Sequence, residues 1–355
     1  MSGLKKFRDK IDNIDSEILE LLNKRTEVVL DVKKAKQTGQ ITVYSPARER
    51  EILKRLTASN RGPFPNETLK LIYREILSSS VSLQQPLAVS YLGPAATYTH
   101  LSAKRQFGAS AIYQPESTIR DVFTAVSDGS AQYGVVPIEN SNEGVVNYTL
   151  DMFMDFDLKI AFEIMLKISH NLMSKTGKKS SVKHIYSHPQ ATAQCRRWLE
   201  RNFPGVTVID EASTADAARK IAKQSSSAAI ASELAASEYK LKIIKKGIED
   251  YKNNYTRFMV IAKSSTPKTG RDKTSIMFSI KDRAGALYSI MQPFAKHKIS
   301  LTKIESRPSK RKAWEYIFFV DMEGHTESKK VSSAIEEIKK DCLFLKVLGS
   351  YPSGE

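Results

Sequence analysis

The sequence contains few cysteines, few glycines and prolines, and no long apolar run. Its two cysteines, Cys195 and Cys342, cannot build a disulfide framework or a four-thiolate zinc site, which is typical of a reducing compartment. Only 16 Gly and 13 Pro occur among 355 residues, which excludes collagen-like and low-complexity chains. No run approaches the roughly 18 apolar residues of a membrane span, and the N-terminal segment lacks the apolar region of a signal peptide. These absences predict a cytoplasmic globular protein without structural metal.

The chain carries a surplus of positive charge, but the surplus is spread evenly. The 55 Lys and Arg outnumber the 39 Asp and Glu, which leaves a net charge of +16. Residues 1–90 carry 16 basic and 11 acidic side chains, residues 91–264 carry 22 and 17, and residues 265–355 carry 17 and 11. Nucleic-acid binders more often concentrate Lys and Arg on one stripe or one reading helix. The even spread favours small anionic metabolites as ligands over nucleic acid.

The length and the periodicity of the apolar residues predict more than one domain. At roughly 100 to 200 residues per domain, the chain accommodates two or three. The pattern changes twice, and it divides the chain into residues 1–85, 86–264 and 272–355. The intervening segment 264–271 is rich in Ser, Thr, Pro, Lys and Gly and is predicted to be a linker.

The first block is predicted to be entirely helical. A second helix is expected to begin at Pro46 with Ser45 as its N-cap, and a third follows Pro65. Helices of such unequal length cannot cover the first one, so a second copy of the chain is expected to cover the rest. The first helix ends before Gly39, and its coiled-coil seam alternates steps of three and four through Leu4, Phe7, Ile11, Ile14, Ile18, Leu21, Arg25, Val28, Val32 and Ala35.

One seam position holds a charge. Arg25 stands where an aliphatic residue belongs, and because a buried guanidinium without a partner is costly, it requires an anion. Lys36 lies about 16 Å further along nearly the same face, so two long side chains could enclose a small ligand. Arg8 lies about 25 Å from Arg25 and about 42 Å from Lys36 along the helix. If Arg8 binds a ligand, it serves the pocket of a partner chain.

Across the whole block, the sequence resembles the all-helical chorismate mutase family. Taken one at a time, charged residues on a helix are more often a solvated face. Some members of the family carry aspartate where this chain has Ser45. The positions of the family's active-site residues are occupied here by Arg8, Arg25, Lys36, Arg48, Glu49, Ser80 and Gln84.

The resemblance implies the rearrangement of chorismate to prephenate. This reaction needs no acid, base or cofactor, only a ligand held in a folded conformer and donors aimed at the ether oxygen. The resemblance places two donors at the ether oxygen, four residues at the carboxylates and one acceptor at the ring hydroxyl. These are Lys36 and Gln84; Arg8 of the partner subunit, Arg25, Arg48 and Ser80; and Glu49, respectively.

The central block alternates short apolar runs with helical stretches, which predicts an α/β fold with ligand sites where strand ends meet helix starts. Four segments place small polar residues beside predicted strand ends, although each alone is more often a turn. They are residues 93–100, 139–144, 187–190 and 254–258. The predicted strands are 87–92, 133–137, 164–168, 182–186, 206–209 and 257–262, and the predicted helices include 119–126, 191–201 and 214–223.

Together the four segments resemble the prephenate dehydratase family, whose domain is two-lobed like the type II periplasmic binding proteins. The family's Thr-Arg-Phe signature falls on Thr256, Arg257 and Phe258. The family commonly has glycine where this chain has Ala96, and alanine would strain the loop if its φ were positive. The residues that the resemblance assigns to substrate binding are Thr97, Asn140, Ser141, Gln190, Thr256, Arg257 and Phe258.

The chemistry of dehydration singles out one residue of this set. Prephenate loses its carboxylate as carbon dioxide and its ring hydroxyl as water, and hydroxyl is a poor leaving group. A donor must therefore be placed on the hydroxyl in a dry cleft, and the resemblance points to Thr256. His100 and His188 are the alternatives as general acids, but a histidine after a turn is more often structural.

The terminal block is predicted to have the βαββαβ order of a ferredoxin-like α+β fold, with strands at 275–280, 300–306, 314–321 and 343–348 and helices at 286–297 and 328–340. The segments Gly285-Ala286-Leu287 and Glu305-Ser306-Arg307-Pro308 resemble the amino-acid-binding signatures of the ACT domain in phenylalanine-controlled dehydratases. Amides at the helix start would meet the ligand's carboxylate. The alternative is a domain that serves only for dimerisation.

Two classes of function remain. The first is a bifunctional enzyme of phenylalanine synthesis, a homodimer or larger oligomer without cofactor, which converts chorismate to prephenate and then to phenylpyruvate and is inhibited by phenylalanine. The second is a ligand-sensing, DNA-binding regulator with a coiled-coil dimeriser. The sequence shows no helix-turn-helix pattern beside the sensing block and no basic region leading into the heptads, which disfavours the second class.

Overall fold

The structure is a computed structural model that describes residues 2–36, 44–281, 283–308 and 316–354; the side chain of Lys36 lies outside the described part. The chain divides into two compact units. One comprises residues 1–87 with 107–112, and the other comprises residues 88–106 with 113–355. Across the described ranges, no helix is both long enough and apolar enough to cross a membrane.

The first unit is helical, as the sequence predicts, and contains α1 (Ser2–Lys36), α2 (Pro46–Ser59) and α3 (Asn66–Gln84). The Ser45 hydroxyl accepts a hydrogen bond from the Arg48 amide at 3.4 Å and caps α2, whose first residue is Pro46. An aspartate can cap a helix in the same way, which gives the exchange at Ser45 a structural reason. The predicted end of the first helix at Gly39 lies outside the described residues.

The seam of α1 is open to solvent in the single chain. α1 packs against α3, but one neighbouring helix covers only part of its apolar face. A contiguous exposed apolar stripe of this kind marks an interaction surface. The large exposed seam residues are Leu4, Phe7, Ile11, Ile14, Ile18, Leu21, Val28 and Val32.

Strands and helices alternate through residues 88–262. In chain order the elements are β1 (Ala88–Leu92), α4 (Tyr98–Phe107), β2 (Ile112–Glu116), α5 (Ile119–Asp128), β3 (Tyr133–Asn140), β4 (Gly144–Val145), α6 (Asn147–Asp155), β5 (Lys159–Lys167), β6 (Asn171–Ser174), β7 (His184–Ser187), α7 (Pro189–Gln194), α8 (Arg196–Asn202), β8 (Thr207–Asp210), α9 (Thr214–Ile221), β9 (Ser227–Ala231), α10 (Glu233–Glu238), β10 (Lys242–Lys245) and β11 (Tyr255–Ala262).

These strands form two sheets, and each sheet forms the centre of one lobe. The first has the order β2-β1-β3-β11-β5 with β4 paired to β3, and the second has the order β10-β6-β9-β7-β8. The chain crosses to the second lobe after β5 and returns before β11. The crossing segments are bonded to each other, because the Ile168 amide donates to the Asn254 carbonyl and the Ile248 amide donates to the His170 carbonyl, both at 2.9 Å. The predicted two-lobed α/β fold is confirmed.

Several elements of this domain differ from the sequence prediction. The strands β2, β4, β6, β9 and β10 are not predicted. β9 is buried at every residue, so it lacks the alternation that marks a half-exposed strand, and its alanines favour a helix. The single helix predicted over 191–201 is wrong, since α7 and α8 are separated at Cys195. The Asp250 carboxylate accepts from the amides of Arg197 and Trp198 and so supports a new helix start there.

The terminal domain has the predicted βαββαβ order: β12 (Asp272–Ile280), α11 (Ala286–Lys296), β13 (Leu301–Pro308), β14 (Tyr316–Glu323), α12 (Lys329–Lys339) and β15 (Cys342–Pro352). Its sheet order, β13-β14-β12-β15, is antiparallel throughout, as in a ferredoxin-like fold. The predicted strand start at 314 lies outside the described residues.

The terminal domain and the first lobe share a hydrophobic core. Gly349 lies so close to β5 that an added Cβ would come within 2.3 Å of the Ile160 carbonyl oxygen. The predicted linker 264–271 also packs, because the Thr266 hydroxyl donates to the Ala161 carbonyl at 2.8 Å. These two domains therefore form one body. The residues of the terminal sheet in this core are Met277, Ile317, Phe319, Leu348 and Tyr351.

Candidate active sites

In the helical unit, α1 and α3 bring three predicted site residues together. The Arg25 guanidinium donates a short hydrogen bond to the Ser80 hydroxyl, which itself donates to the Ile76 carbonyl at 2.6 Å. The Gln84 amide nitrogen donates to the Ser80 carbonyl at 3.1 Å. The charge in the seam therefore faces a neutral hydroxyl, and within the described part of the chain no carboxylate pairs with Arg25. A ligand carboxylate can fill that role.

The Gln84 side chain has a buried acceptor without a hydrogen-bond donor in the described part of the chain. Its oxygen Oε1 is buried and has no hydrogen-bond donor among the residues that the structure describes. Leaving a buried acceptor without a donor costs about 1–3 kcal/mol. A bound ligand or an ordered water at this position can supply the donor, which agrees with the prediction that Gln84 lines a pocket.

Of the other four predicted mutase residues, the three whose side chains the structure describes do not join this group in the single chain. Arg8 is exposed near the start of α1, and its helical separation from Arg25 is about 25 Å. Arg48 forms an exposed ion pair with Glu51 at 2.7 Å. The side chain of Lys36 lies outside the described part, and Glu49 is half-buried near Arg74.

Glu49 predicts a pH dependence of the mutase reaction. Burial raises the pKa of its carboxyl group to about 7, and Arg74 offsets this only in part. A carboxylate accepts a stronger hydrogen bond from a ring hydroxyl than a neutral carboxyl group does. We therefore expect kcat/KM for chorismate to rise as pH increases through about 7 and then to level off.

The profile of Glu49→Gln is the control, and it should be flat across the same range. Residues 1–85 contain no histidine, so no other side chain of this block ordinarily titrates near neutral pH. Rates of chorismate loss on both sides of neutrality test the assignment. An unchanged rise in Glu49→Gln would show that another group titrates.

In the two-lobed domain, β3 and β11 place two predicted residues opposite each other. Thr256 is the register partner of Asn140, and the Asn140 amide donates to the Thr256 hydroxyl oxygen at 2.8 Å. The hydrogen of that hydroxyl has no acceptor among the described residues. The bond from Asn140 therefore leaves the Thr256 hydroxyl able to donate, in agreement with the predicted role.

Three further polar residues hold this pair; Asn254 opens the predicted segment 254–258, whereas the sequence did not single out Gln194 and His170. The Asn140 amide also donates to Asn254 Oδ1 at 2.9 Å, and Asn254 Nδ2 donates to Gln194 Oε1 at 2.9 Å. Gln194 Oε1 accepts a second bond, from His170 Nε2 at 2.8 Å. Burial lowers the pKa of His170, so its imidazole is neutral. The network joins a crossing segment to α7, and only the fold brings these separate parts of the sequence together.

The remaining predicted substrate-binding residues take different places. The Ser141 amide donates to the Tyr255 carbonyl at 2.8 Å, beside Thr256. Gln190 lies in the second lobe and donates to the Glu143 carboxylate, which follows β3 in the first lobe, at 2.5 Å. This bond bridges the two lobes. Thr97 lies at the start of α4, and its hydroxyl donates to the carbonyl of Leu92 in its own loop at 3.2 Å.

The two histidines have structural contacts. His100 Nδ1 accepts from the Ala96 amide at 3.0 Å, and its ring stacks on Tyr91 with centroids 4.5 Å apart. Burial lowers the pKa of His100 to about 4, so it carries no proton to donate at neutral pH. His188 caps α7 by accepting from the Gln190 amide at 3.3 Å. Ala96 has φ 69°, so this loop does require the left-handed conformation that favours glycine.

The last two residues of the Thr-Arg-Phe signature are buried. Phe258 is a core side chain with 2% of its surface exposed. The Arg257 guanidinium donates to Glu163, Asp321 and the Tyr351 hydroxyl, so protein groups occupy donors that the resemblance assigns to substrate.

The two predicted effector segments also differ in their surroundings. Gly285 is the N-cap of α11 and has φ 78°, and Leu287 in the first turn is partly exposed. Replacing Gly285 by valine would strain the backbone even without a ligand. Arg307 pairs with Asp151 of α6 at 2.7 Å and also donates to the Asn147 carbonyl. This arginine therefore links the terminal domain to the first lobe.

A helical unit with a cationic pocket, a two-lobed domain with an oriented hydroxyl and a ferredoxin-like domain define a multidomain metabolic enzyme. Residues 7–85 match the family chorismate mutase type II, residues 89–266 match prephenate dehydratase and residues 274–340 match the ACT domain. The chain belongs to the bifunctional chorismate mutase/prephenate dehydratase family, and so it combines an isomerase domain with a lyase domain.

Individual relatives agree with this assignment over nearly the whole length. The bifunctional chorismate mutase/prephenate dehydratase of Aquifex aeolicus is 51% identical over 99% of this chain and 98% of its own. That of Pseudomonas aeruginosa is 43% identical over 98% and 97%. The crystal structure of prephenate dehydratase in complex with L-Phe from Arthrobacter aurescens is 31% identical, covers 75% of this chain and 90% of that one, and has a TM-score of 0.69. These relatives give no support to a DNA-binding regulator.

Proposed function

We propose that the chain converts chorismate to prephenate in its helical unit and prephenate to phenylpyruvate in its two-lobed domain. The observation that carries the second step is the Asn140 amide bonded to the Thr256 hydroxyl at 2.8 Å. Incubation of the purified protein with chorismate, without added cofactor, should produce phenylpyruvate. Loss of chorismate without phenylpyruvate would leave only the first activity.

In the dehydratase reaction, Thr256 assists the departure of the ring hydroxyl. The C–C bond between the ring and its carboxylate breaks, and carbon dioxide leaves. The electron pair of that bond enters the ring as the C–O bond to the ring hydroxyl breaks. The leaving oxygen accepts a hydrogen bond from Thr256, takes a proton from solvent and departs as water. Asn140 fixes the hydroxyl of Thr256, and the bond between Gln190 and Glu143 closes one side of the cleft, so less water competes for the donor.

The mutase site is shared between two chains. The exposed seam of α1 needs an apolar partner, and a second copy supplies the same seam. Among the described residues Arg25 has no carboxylate partner and Gln84 Oε1 has no donor, which supports a pocket that a second chain completes. A partner's α1 supplies Arg8, which its own chain holds about 25 Å from Arg25.

Hybrid dimers test the shared site. Arg8→Ala and Arg25→Ala should each abolish most mutase activity, because each removes a carboxylate ligand from every site of its homodimer. Mixing the two should restore part of the activity, since a hybrid contains one site with both arginines. Mixtures that form verified hybrids and stay inactive would contradict a shared site, and exposed Arg61→Ala serves as the control.

Phenylalanine binds the terminal domain and lowers dehydratase activity. The prephenate dehydratase from Arthrobacter aurescens was crystallised in complex with L-Phe, which supports the proposal. The start of α11 offers amides for a carboxylate, and Leu287 offers apolar surface for the ring.

Calorimetry tests this effector site. The full chain is used, because removing residues 272–355 would expose the core that the terminal domain shares with the first lobe. Leu287→Asp should abolish the heat of phenylalanine binding, because it adds a negative charge beside the ligand's carboxylate, while an acidic residue in the first turn leaves α11 stable. Leu343→Asp, at an exposed position of β15, is the control. Undiminished binding to Leu287→Asp would place the effector elsewhere.

A further inference from the structure

The catalytic end of β11 is joined to the terminal domain through its neighbouring residue. Thr256 pairs with Asn140 across the sheet, and the next pair in register is Arg257 with Glu139. Successive side chains of a strand point to opposite faces, so the second pair faces away from the first. Arg257 and Glu139 each have a partner in the terminal domain, whereas Thr256 and Asn140 belong to the cleft.

The Arg257 side chain is held from two domains at once. It is 8% exposed, and it pairs with Glu163 of β5 at 2.7 Å and with Asp321 of β14 at 2.5 Å. The Tyr351 hydroxyl of β15 accepts a third bond at 3.1 Å. Asp321 is in turn fixed by the Ser275 hydroxyl of β12. Three strands of the terminal sheet thus determine where Arg257 lies.

Glu139 has its own link to the same sheet. Lys303 of β13 donates to its carboxylate at 2.7 Å, and only 13% of the Lys303 side chain is exposed. β13 also carries Arg307, which pairs with Asp151 of α6. Both members of the Arg257–Glu139 pair are therefore held by terminal-domain charges, directly beside the catalytic pair.

We infer that Arg257 and Glu139 are positioning residues through which the terminal domain sets the geometry of the Thr256–Asn140 pair. A β-bulge follows Arg257 in the pairing with β3, so the catalytic end of β11 is irregular on the side of Asn140, while its pairing with β5 stays in register. A displacement of β13 or β14 pulls Arg257 or Glu139 and moves the hydroxyl of Thr256. This inference rests on the proposed dehydratase reaction and adds a route within one chain by which phenylalanine acts on it.

A small displacement of Thr256 is expected to cause a large change in the dehydratase rate. A misplacement of about 1 Å at a reacting group can cost roughly 100-fold in rate. The ion pairs of Arg257 are buried, so solvent does not screen them as it screens surface pairs. A movement of the terminal sheet should therefore displace Arg257 and, with it, the neighbouring Thr256, because water does not take the place of the buried ion pairs.

The test changes the terminal side of the contacts and leaves every residue of the catalytic cleft intact. In Lys303→Gln, dehydratase kcat should fall roughly 10-fold to 100-fold with little change in KM, because Thr256 is displaced while the binding groups remain. Phenylalanine should still bind by calorimetry but inhibit less. Lys303→Arg should restore both rate and inhibition, which a merely structural role would not predict. Lys296→Gln, which removes an exposed ion pair with Glu337 in the same domain, is the control.

Two results distinguish failure of this inference from failure of the proposed function. A folded Lys303→Gln with unchanged kcat and unchanged inhibition overturns the inference. If Lys303→Gln fails to fold, Asp321→Asn, which keeps the shape at the Arg257 contact, takes its place with the same expected and contradicting results. Wild-type protein that forms no phenylpyruvate from prephenate refutes the proposed function instead.

Discussion

Thr256→Val should lower the dehydratase kcat roughly 100-fold to 1000-fold, the range for removing one donor from a developing charge. Valine keeps the β-branched shape that suits β11 but has no hydroxyl, so the leaving oxygen loses its hydrogen bond. The Asn140 amide also loses an acceptor at 2.8 Å. Chorismate loss should proceed at the wild-type rate, because the helical unit contains none of these groups.

Two variants make the Thr256 result specific. Thr256→Ser retains the hydroxyl and should recover most of the rate, while Thr149→Val removes a different buried hydroxyl, bonded to the Pro137 carbonyl at 2.6 Å, and should not affect kcat. Formation of phenylpyruvate from added prephenate is the measurement. Wild-type kcat in a folded Thr256→Val protein would exclude Thr256 as the donor.

Gln84→Ala should lower the mutase activity and leave the dehydratase activity unchanged, the opposite of Thr256→Val. Deleting a donor at the ether oxygen is expected to cost about 2.7–4 kcal/mol in transition-state stabilisation, again roughly 100-fold to 1000-fold in mutase kcat/KM. The donor atom is Gln84 Nε2, which carries two hydrogens and donates one of them to the Ser80 carbonyl at 3.1 Å, so the other can reach a ligand. Lys36→Ala should act in the same direction. Dehydration of added prephenate should remain near the wild-type rate.

The adjacent Gln85 provides a matched control for Gln84. Gln85 is the exposed C-cap residue of α3, so Gln85→Ala changes the same functional group one position away from the pocket. Its mutase rate should equal that of the wild type. Equal losses of both activities in Gln84→Ala would show that the two catalytic domains are not independent.

Local sequence patterns predicted the elements whose residues have one exposed and one buried face. Ser45 and Pro46 predicted the start of α2, and the seam of α1 predicted a long helix whose apolar face stays open. The pattern failed at β9, because a strand buried on both sides shows no alternation. It failed again at Cys195, where the Asp250 carboxylate, distant in sequence, starts a new helix.

In the candidate sites, too, some residues were predicted from the sequence and others were found only in the structure. The resemblance to known families predicted Thr256 as the donor and Asn140 as a substrate-binding residue, whereas the bond between their side chains is known only from the structure. Gln194 and His170 carried no comparable signal, because a buried amide or a neutral imidazole acquires its role only from the group it contacts. The assignment of Arg257 to substrate binding stays a prediction, although Glu163 and Asp321 hold its guanidinium in the structure.

The sequence by itself determined the helical period of the first block and the changes of apolar pattern that divide the chain, since these depend on residue type and short-range spacing. The kinds of domain and the two kinds of chemistry were predicted from its resemblance to known families. The tertiary structure decided which charges meet. Lys303 and Glu139 are 164 positions apart, and Arg257 and Asp321 are 64 apart, so no local pattern relates them. Pairing of β11 with β3 and packing of the terminal sheet on the first lobe bring these charges into contact, because burying the shared core removes Arg257 and Lys303 from water and a nearby carboxylate stabilises each of them instead.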